Sequence, residues 1–532
     1  MTRPLRLVRT ILFAFLGLLL LAGLAFSTWA YRDGQEWLDR TVRERIEAAV
    51  AKATVSGYHF RMDTLGTRFR SGDVLIHGIQ LDHDSSLNDS LRAGVHEYLF
   101  AAQARTIALR GLSIWRAVLL REVHVRSIEV DGPLLQYTIG DHRVALKAPF
   151  ERLKGSGSNP PLFSVEVVIV RDARAIMQDL SGRLPVLNAS GLDILAEAVN
   201  VTHTGNRRRA DLHVGEVDLA LDSLSANIAG GYRLHFGAVH LSDRMRRGRV
   251  RDISLHRTDP GPSKHRTTEL GLHVDSIVFD APDIGGLIAD QALRMKALSV
   301  HGLDLEATLD KELPEGPLRP VALPPAALLA LPFPVRIDSV HLVDNTLRYR
   351  ERSDATGRWG TITFNALDAT FSGIDNTPDR PQDATGIEGR ISCLFMDTAR
   401  LSAHYTAEVE GGQDFTFTAT VQQLPFAALD TLTSNLLRLS LSSGTLDRMH
   451  LVMKGNERKA RGTMDLHYTD LVATISEQAT PAQRHSMFGS VMDHVMTADN
   501  GGGLSDRQKR SYSVERDQQR SLLTFIWHFT RS

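Results

Sequence analysis

The chain has 532 residues, 42% of them hydrophobic, 23% charged and 6% aromatic, with one cysteine. That hydrophobic fraction is too high for a disordered chain and too low for a polytopic membrane protein. One cysteine excludes an internal disulfide framework and a cysteine-based zinc site, and 61 Lys and Arg against 62 Asp and Glu give no global attraction for nucleic acid.

From the N-terminus, Ile11 to Ala30 carries no charge. A helix of that length spans about 30 Å, the thickness of a bilayer core. Arg3, Arg6 and Arg9 precede it, and Trp29 and Tyr31 sit where an interfacial aromatic belt would lie. The positive-inside rule then puts Met1 in the cytoplasm and the rest of the chain across the membrane. The rival is a cleaved signal peptide, with Gly23-Leu24-Ala25 as the cleavage site. No later stretch reaches spanning length, so a single-pass anchor is expected.

Arg32 to Ala53 places Trp37, Leu38, Val42, Ile46, Ala49 and Val50 at helical spacing, which predicts an amphipathic helix leaving the membrane. The dominant period then changes to two. Val123, Val125, Ile128 and Val130 surround polar residues, Val165, Val167 and Ile169 alternate with Glu166, and Phe415, Phe417 and Ala419 alternate with threonines. Met449, Leu451 and Met453 do the same. This is strand patterning with one apolar face, repeated over much of the chain. Helical patterns are few: Pro325 to Leu331, Ala427 to Leu437 and Met487 to Val495.

The strands also repeat in wording. Ile76 to Leu81 (IHGIQL), Leu109 to Ile114 (LRGLSI) and Val300 to Leu305 (VHGLDL) share one form, in which an internal glycine predicts a bulge. Ser127 to Pro133, Ser276 to Pro282 and Ser339 to Asn345 each read as a strand ended by a turn cluster. Such repeats fit an extended stacked architecture and a set of ordinary β-sandwiches equally well. Breaks are expected at Lys154 to Pro161, Arg257 to Lys264, Glu312 to Pro334, Asn376 to Asp383 and Ala498 to Ser511.

No phosphate-binding, nucleophile-elbow, zincin or dinucleotide motif occurs. The histidines stand mostly alone on alternating strands and read as polar-face residues. Asp82-His83-Asp84-Ser85 begins like a calcium loop, but Leu87 and Ala93 occupy the positions that need Gly and an acid, so it reads as a polar loop. Arg244 to Arg251 is the strongest basic run; without interleaved aromatics it reads as a solvated turn rather than a nucleic-acid site. Cys393, in phase with Ile391 and Phe395, is expected to be a packed, unreactive thiol.

The C-terminal part carries a resemblance. Phe333 to Glu351 (FPVRIDSVHLVDNTLRYRE) is followed by Gly360 to Phe364, Ser443 to Asp447, Lys454-Gly455-Asn456, Gly462 to Leu471 and a closing Val514 to Trp527. This order resembles the AsmA-like proteins of the Bacteroidetes type, related to TamB-like and bridge-like lipid-transfer proteins; residues 332–532 carry the resemblance best. It implies a mainly β fold: a single N-terminal transmembrane helix, then an elongated, curled repeating β-sheet forming an open groove, with a few short helices. It also implies an inner-membrane protein with its bulk in the periplasm, active in outer-membrane biogenesis. Such a protein would bind or passively conduct phospholipid or another envelope lipid.

The side chains expected on the apolar lining are Leu347, Tyr349, Ile362, Phe364, Phe371, Phe395, Phe415, Phe417, Leu451, Met453, Met464 and Leu466. The competing expectation is that they pack as an ordinary core. The division expected is 1–31 tip and anchor, 32–155 first helix and β repeats, 156–331 middle groove, 332–480 AsmA-like β region, and 481–532 loop and helical tail. No enzyme activity, cofactor, metal or nucleic acid is expected. The alternative function is an assembly factor that docks an outer-membrane protein by strand addition.

Overall fold

The computed structural model describes residues 57–68, 71–96, 98–113, 122–140, 162–180, 185–203, 210–228, 230–258, 265–316, 321–378, 386–409, 414–475 and 510–518, with helical positions 43, 44, 46–48, 50, 522, 525 and 526. The expected anchor and the helix expected at 487–495 lie outside these residues. Most described residues are in strands: β1 Tyr58–Arg61, β2 Thr64–Arg68, β3 Asp73–His83, β4 Tyr98–Arg110, β5 Glu122–Asp131, β6 Leu134–Ile139, β7 Leu162–Asp179, β8 Pro185–His203, β9 Ala210–His213, β10 Val217–Leu221, β11 Ser223–Ile228 and β12 Tyr232–Phe236. Then follow β13 Val239–Ser242, β14 Arg247–Arg257, β15 Thr268–Asp280, β16 Leu293–Asp310, β17 Val335–Arg352, β18 Trp359–Asp375, β19 Ile387–Phe395, β20 Ala399–Ala407, β21 Phe415–Pro425, β22 Leu439–Gly455, β23 Lys459–Ile475 and β24 Arg510–Glu515. Short helices cover Ser86–Arg92, Ile284–Asp290, Pro324–Leu329 and Ala427–Leu437. The helix expected at 325–331 thus sits slightly earlier, and the one at 427–437 is as read.

The chain forms two compact units, one of Met1–Ala229, Arg233–Val250 and Pro282–Gln291, the other of Gly230–Tyr232, Arg251–Ala281 and Ala292–Ser532. In the first, Val123, Val125, Ile128 and Val165 are buried with Ile76, Ile107 and Phe163, and Ile46 of the first helix packs into the same cluster. Val123, Val125, Phe163 and Val165 face this core in one phase of the alternation, and Ile128 and Val168 face it in the other, so the phase changes within both strands. Strands β5 and β6 both pair with β7 in parallel. Asp243 accepts from the amides of Val217, Ile284 and Gly285 at 3.1, 2.9 and 3.2 Å, tying β10 to the start of helix Ile284–Asp290.

In the second unit β16 and β17 run parallel, and the connection between them carries helix Pro324–Leu329. From β17 to β24 each strand pairs antiparallel with the next. Two of the glycines read as bulges have left-handed backbone inside strands: Gly78 at φ 62° and Gly302 at φ 63°. Gly111 has φ 68° but falls just past the end of β4. Of the three strands expected to end in a turn cluster, β5 stops at Asp131 and β15 at Asp280. The third does not stop. β17 runs on to Arg352 through a register shift between Leu342 and Asn345, with Asp344 at φ 54°. An Asp tolerates that conformation when its backbone amide finds a partner, so a bulge replaces the expected turn.

Candidate functional site

The residues read as an apolar lining fall on one face of the second unit. Across β17 and β18, Leu347 lies opposite Phe364 and Tyr349 opposite Ile362. Phe364 lies opposite Phe395, and Phe371 opposite Gly389. Gly389 continues to Tyr405, Tyr405 to Phe417, and Ala407 to Phe415. Phe417 faces Met453 and Ala419 faces Leu451; beyond these, Leu451 faces Met464 and Met449 faces Leu466. Residues directly opposite in a ladder project to the same side, so all of the named side chains share a face.

That continuity depends on the bulges. The inward residues of β17 are Val340 and Leu342 before its register shift and Leu347 and Tyr349 after it. β18 shifts at the matching point, between Asn365 and Asp368. Without the extra residue every side chain beyond it would turn outward. At two bulges a neighbouring carboxylate takes the freed backbone amide, Asp193 accepting from Asp172 at 2.7 Å and Asp368 from Asp344 at 2.9 Å, and just past β4 Asp73 accepts from Gly111 at 3.1 Å in the same way. Asn345, almost fully buried, does more. Its Oδ1 accepts from the Leu303 amide at 2.8 Å and its Nδ2 donates to the Leu367 carbonyl at 3.0 Å, joining three strands.

Burial along the face is graded. Ile362, Phe415, Leu451, Met453 and Met464 are buried; Leu347, Tyr349, Phe364, Phe371, Phe395, Phe417 and Leu466 are half-buried. The buried ones near Phe415 lie under Leu323, Leu328 and Phe525. Glu457 holds this cover, accepting from the Leu323 amide at 3.0 Å and pairing with Arg516. Arg516 also donates to the Val321 carbonyl at 2.5 Å. At the other end helix Ala427–Leu437 lies so close that a Cβ on Gly360 would stand 2.6 Å from Leu436 Cγ. The hydroxyl of Ser353 caps the Leu436 carbonyl at 3.1 Å, and Asn435 donates to the Trp359 carbonyl at 2.8 Å. Between the two covers Phe364 and Phe395 meet with ring centroids 5.4 Å apart. Beside the helix a buried ion pair joins Lys311 to Glu351 at 2.5 Å, and the Tyr349 hydroxyl donates to Glu351 at 2.8 Å.

The opposite face is polar. Arg348 pairs with Asp304, Arg350 with Glu306 at 3.2 Å, and Arg352 with Glu312 at 2.7 Å, a ladder made possible by the parallel register of β16 and β17. Histidines there meet hydroxyls on the next strand, as His450 meets Thr420 at 3.1 Å. A cavity of about 1100 Å³ opens on this face at the ends of β19 to β23, lined by Glu388, Thr406, Thr416, Lys454 and Arg461 among others. Arg244, from the basic run, sits in a turn and pairs with Glu197 and Glu216. Asp82 and His83 end β3 rather than forming a loop, and Asp84 accepts from His59 at 2.8 Å.

Cys393 is buried on the apolar face opposite Leu401, and burial pushes its thiol up to about 11. Tyr405, also buried there, is pushed upward by burial and then by Glu457, and its hydroxyl has no partner among the described residues. Among the described residues no group of three or more His, Cys, Asp or Glu is placed to hold a metal ion, and no helix is long and apolar enough to cross a membrane. Sequence reasoning missed the Glu457–Arg516 clasp, Asn345 and the Lys311–Glu351 pair. A signal for the first cover was present: from Val321 to Pro334 no side chain is polar.

The fold and this face define a β-sheet protein with one apolar surface held between two covers. Comparison with known protein families finds no match, and comparison with curated proteins finds none.

Proposed function

We propose that this protein is a membrane-anchored, periplasmic, AsmA-like protein that holds lipid acyl chains on the apolar face of its second unit, in a curled open groove. The observation that carries this is the half-buried band at Leu347, Phe364, Phe395 and Phe417, flanked by covered ends. The part of such a half-buried side chain that faces water forgoes about 0.8 kcal/mol per methylene that an acyl chain would regain. The band carries no charged side chain at these positions, which suits hydrocarbon rather than a headgroup. Conduction would be passive, by binding and sliding, without an enzymatic step. The test is Phe364→Asp in the full chain, which should abolish uptake of a dansyl phospholipid while circular dichroism stays unchanged. Unchanged uptake would reject the proposal.

The second reading is an assembly factor. Among the described residues β24 pairs only with β23, leaving its other side for a further strand. Crosslinking from Ser513 that captures a barrel protein, with Phe364→Asp harmless, would favour it.

A further inference from the structure

On the polar face of the second unit, at the ends of β19 to β23, one cross-strand row runs Glu388, Thr406, Thr416, Lys454, Arg461 and Ser513. Directly opposed residues project to the same side, so Lys454 and Arg461 stand next to each other. Lys459, two residues before Arg461 on β23, projects with them. Like charges set opposite each other in a ladder are destabilising. Another opposed pair of this unit, Arg294 and Arg336, is answered by acids, since Arg336 reaches Asp338 and Asp375 at 3.8 and 3.9 Å.

Here no acid answers. Among the described residues the side chains of Lys454, Lys459 and Arg461 have neither an ion-pair nor a hydrogen-bond partner. All three line the cavity of about 1100 Å³, and its carboxylates are engaged at the other end. Glu388 is taken by Arg390 at 2.7 Å and by His404 at 3.1 Å. Asp414 accepts from Asn456 at 3.2 Å, and Glu408 lies beside it, its amide donating to the Asp414 carbonyl at 3.0 Å. The cavity thus has a cationic end on β22 and β23 and an acidic end on β19 to β21. Hydroxyls flank the cations, with Thr416 opposite Lys454 and Ser513 opposite Arg461. Two ammonium groups, a guanidinium and two hydroxyls are a donor set for a tetrahedral oxyanion. The volume is that of an organic ligand rather than of a bare ion, and the acidic end would accept from hydroxyl or amino groups on its organic part.

We infer that the cationic end of this cavity binds the phosphate group of a phosphate ester, free or carried as a lipid headgroup. The site lies on the face opposite Phe364, so the inference goes beyond the lipid-holding proposal and stands without it. The test is isothermal titration calorimetry of the full chain in an uncharged amphipathic polymer, with glycerol 3-phosphate as ligand and glycerol as control. Saturable binding with a Kd of about 1 mM or tighter is expected for the ester, and none for glycerol. The double variant Lys454→Gln, Arg461→Gln should weaken it at least about tenfold, and Lys296→Gln, outside the cavity, should leave it unchanged. Arg461→Glu sets an acid opposite Lys454, so it should abolish binding while the melting temperature holds or rises. That variant decides alone should the double variant fail to fold. Absent or unsaturable binding of the ester, or unchanged binding in either folded variant, would overturn the inference. Short-chain phosphatidylglycerol, titrated as a monomer against the chain and the double variant, assigns the source. Variant-sensitive binding tighter than that of glycerol 3-phosphate marks a lipid headgroup, and otherwise the ester is a soluble one. Phe364→Asp should leave glycerol 3-phosphate binding intact, so either proposal can fail while the other stands.

Discussion

The side-chain oxygen of Asn345 takes the backbone amide of Leu303 across the β16–β17 pair at 2.8 Å, at the place where three strands bulge together. The bulges keep one apolar face in phase, and Asn345 keeps the bulges satisfied. Replacing it with Leu strands two buried backbone groups. Asn345→Leu should therefore cost about 2–5 kcal/mol, read as a lower urea midpoint with unchanged slope. A change under about 0.5 kcal/mol would mean that the bulge does not need this partner.

Two glycines in neighbouring strands should respond oppositely to alanine. At Gly302 the backbone is left-handed and a Cβ would stand 2.1 Å from Asp275 Oδ2, whereas at Gly271 nothing lies within 4 Å. Gly302→Ala should destabilise by about 1–3 kcal/mol, and Gly271→Ala should be neutral or stabilising by up to about 1 kcal/mol. Thermal unfolding of the pair checks this, and equal effects would contradict the bulge.

This contrast also marks what the sequence could convey. Within each segment of β17 to β23 the residues of one period-two phase share a face, because alternation is a direct image of a pleated strand. The glycine bulges were legible for the same reason that glycine is permitted there. The bulges at Asp172, Asp344 and Ala366 were not, since an ordinary residue held left-handed by a partner on the next strand leaves no compositional mark. The strand expected to end at Asp344 was misread on that account. Pro324–Leu329 was visible as a helix, but its role as a cover was not: with no polar side it has no periodicity to show which face is buried. The clasp depends on Glu457 and Arg516, far apart in the chain, and only the folded ladder brings them together.

The clasp should be worth measuring directly. Arg516 is fully buried and touches Glu457, so Arg516→Met leaves that carboxylate facing the apolar cover. A loss of about 2–4 kcal/mol is expected, with faster hydrogen exchange at Leu323 and Val321 before the rest of the sheet. Uniform exchange across β21 and β22 would show that the cover is not a separable element.

Cys393 supplies a pH dependence. Its folded thiol titrates at about 11, above the ordinary value of 9.0. Well below pH 9 both states are protonated and the contribution is fully present; as pH rises through 9 toward 11 the unfolded thiol ionises first, and stability falls. The loss should reach about 1–3 kcal/mol and vanish in Cys393→Ala. Alkylation of native protein at pH 8 should be slower than of unfolded protein by at least about a hundredfold. Equal rates would contradict burial of the thiol.

The central claim is that lipid lies on the inward face of the second unit. The most direct test places a photo-crosslinking benzoylphenylalanine at Phe364 or Phe395 on that face, and at Arg350 on the opposite one, in the full chain in cells. Phospholipid adducts, identified by mass spectrometry, are expected at Phe364 and Phe395 and not at Arg350. Adducts at none of the three, or in equal yield at all, would contradict the account.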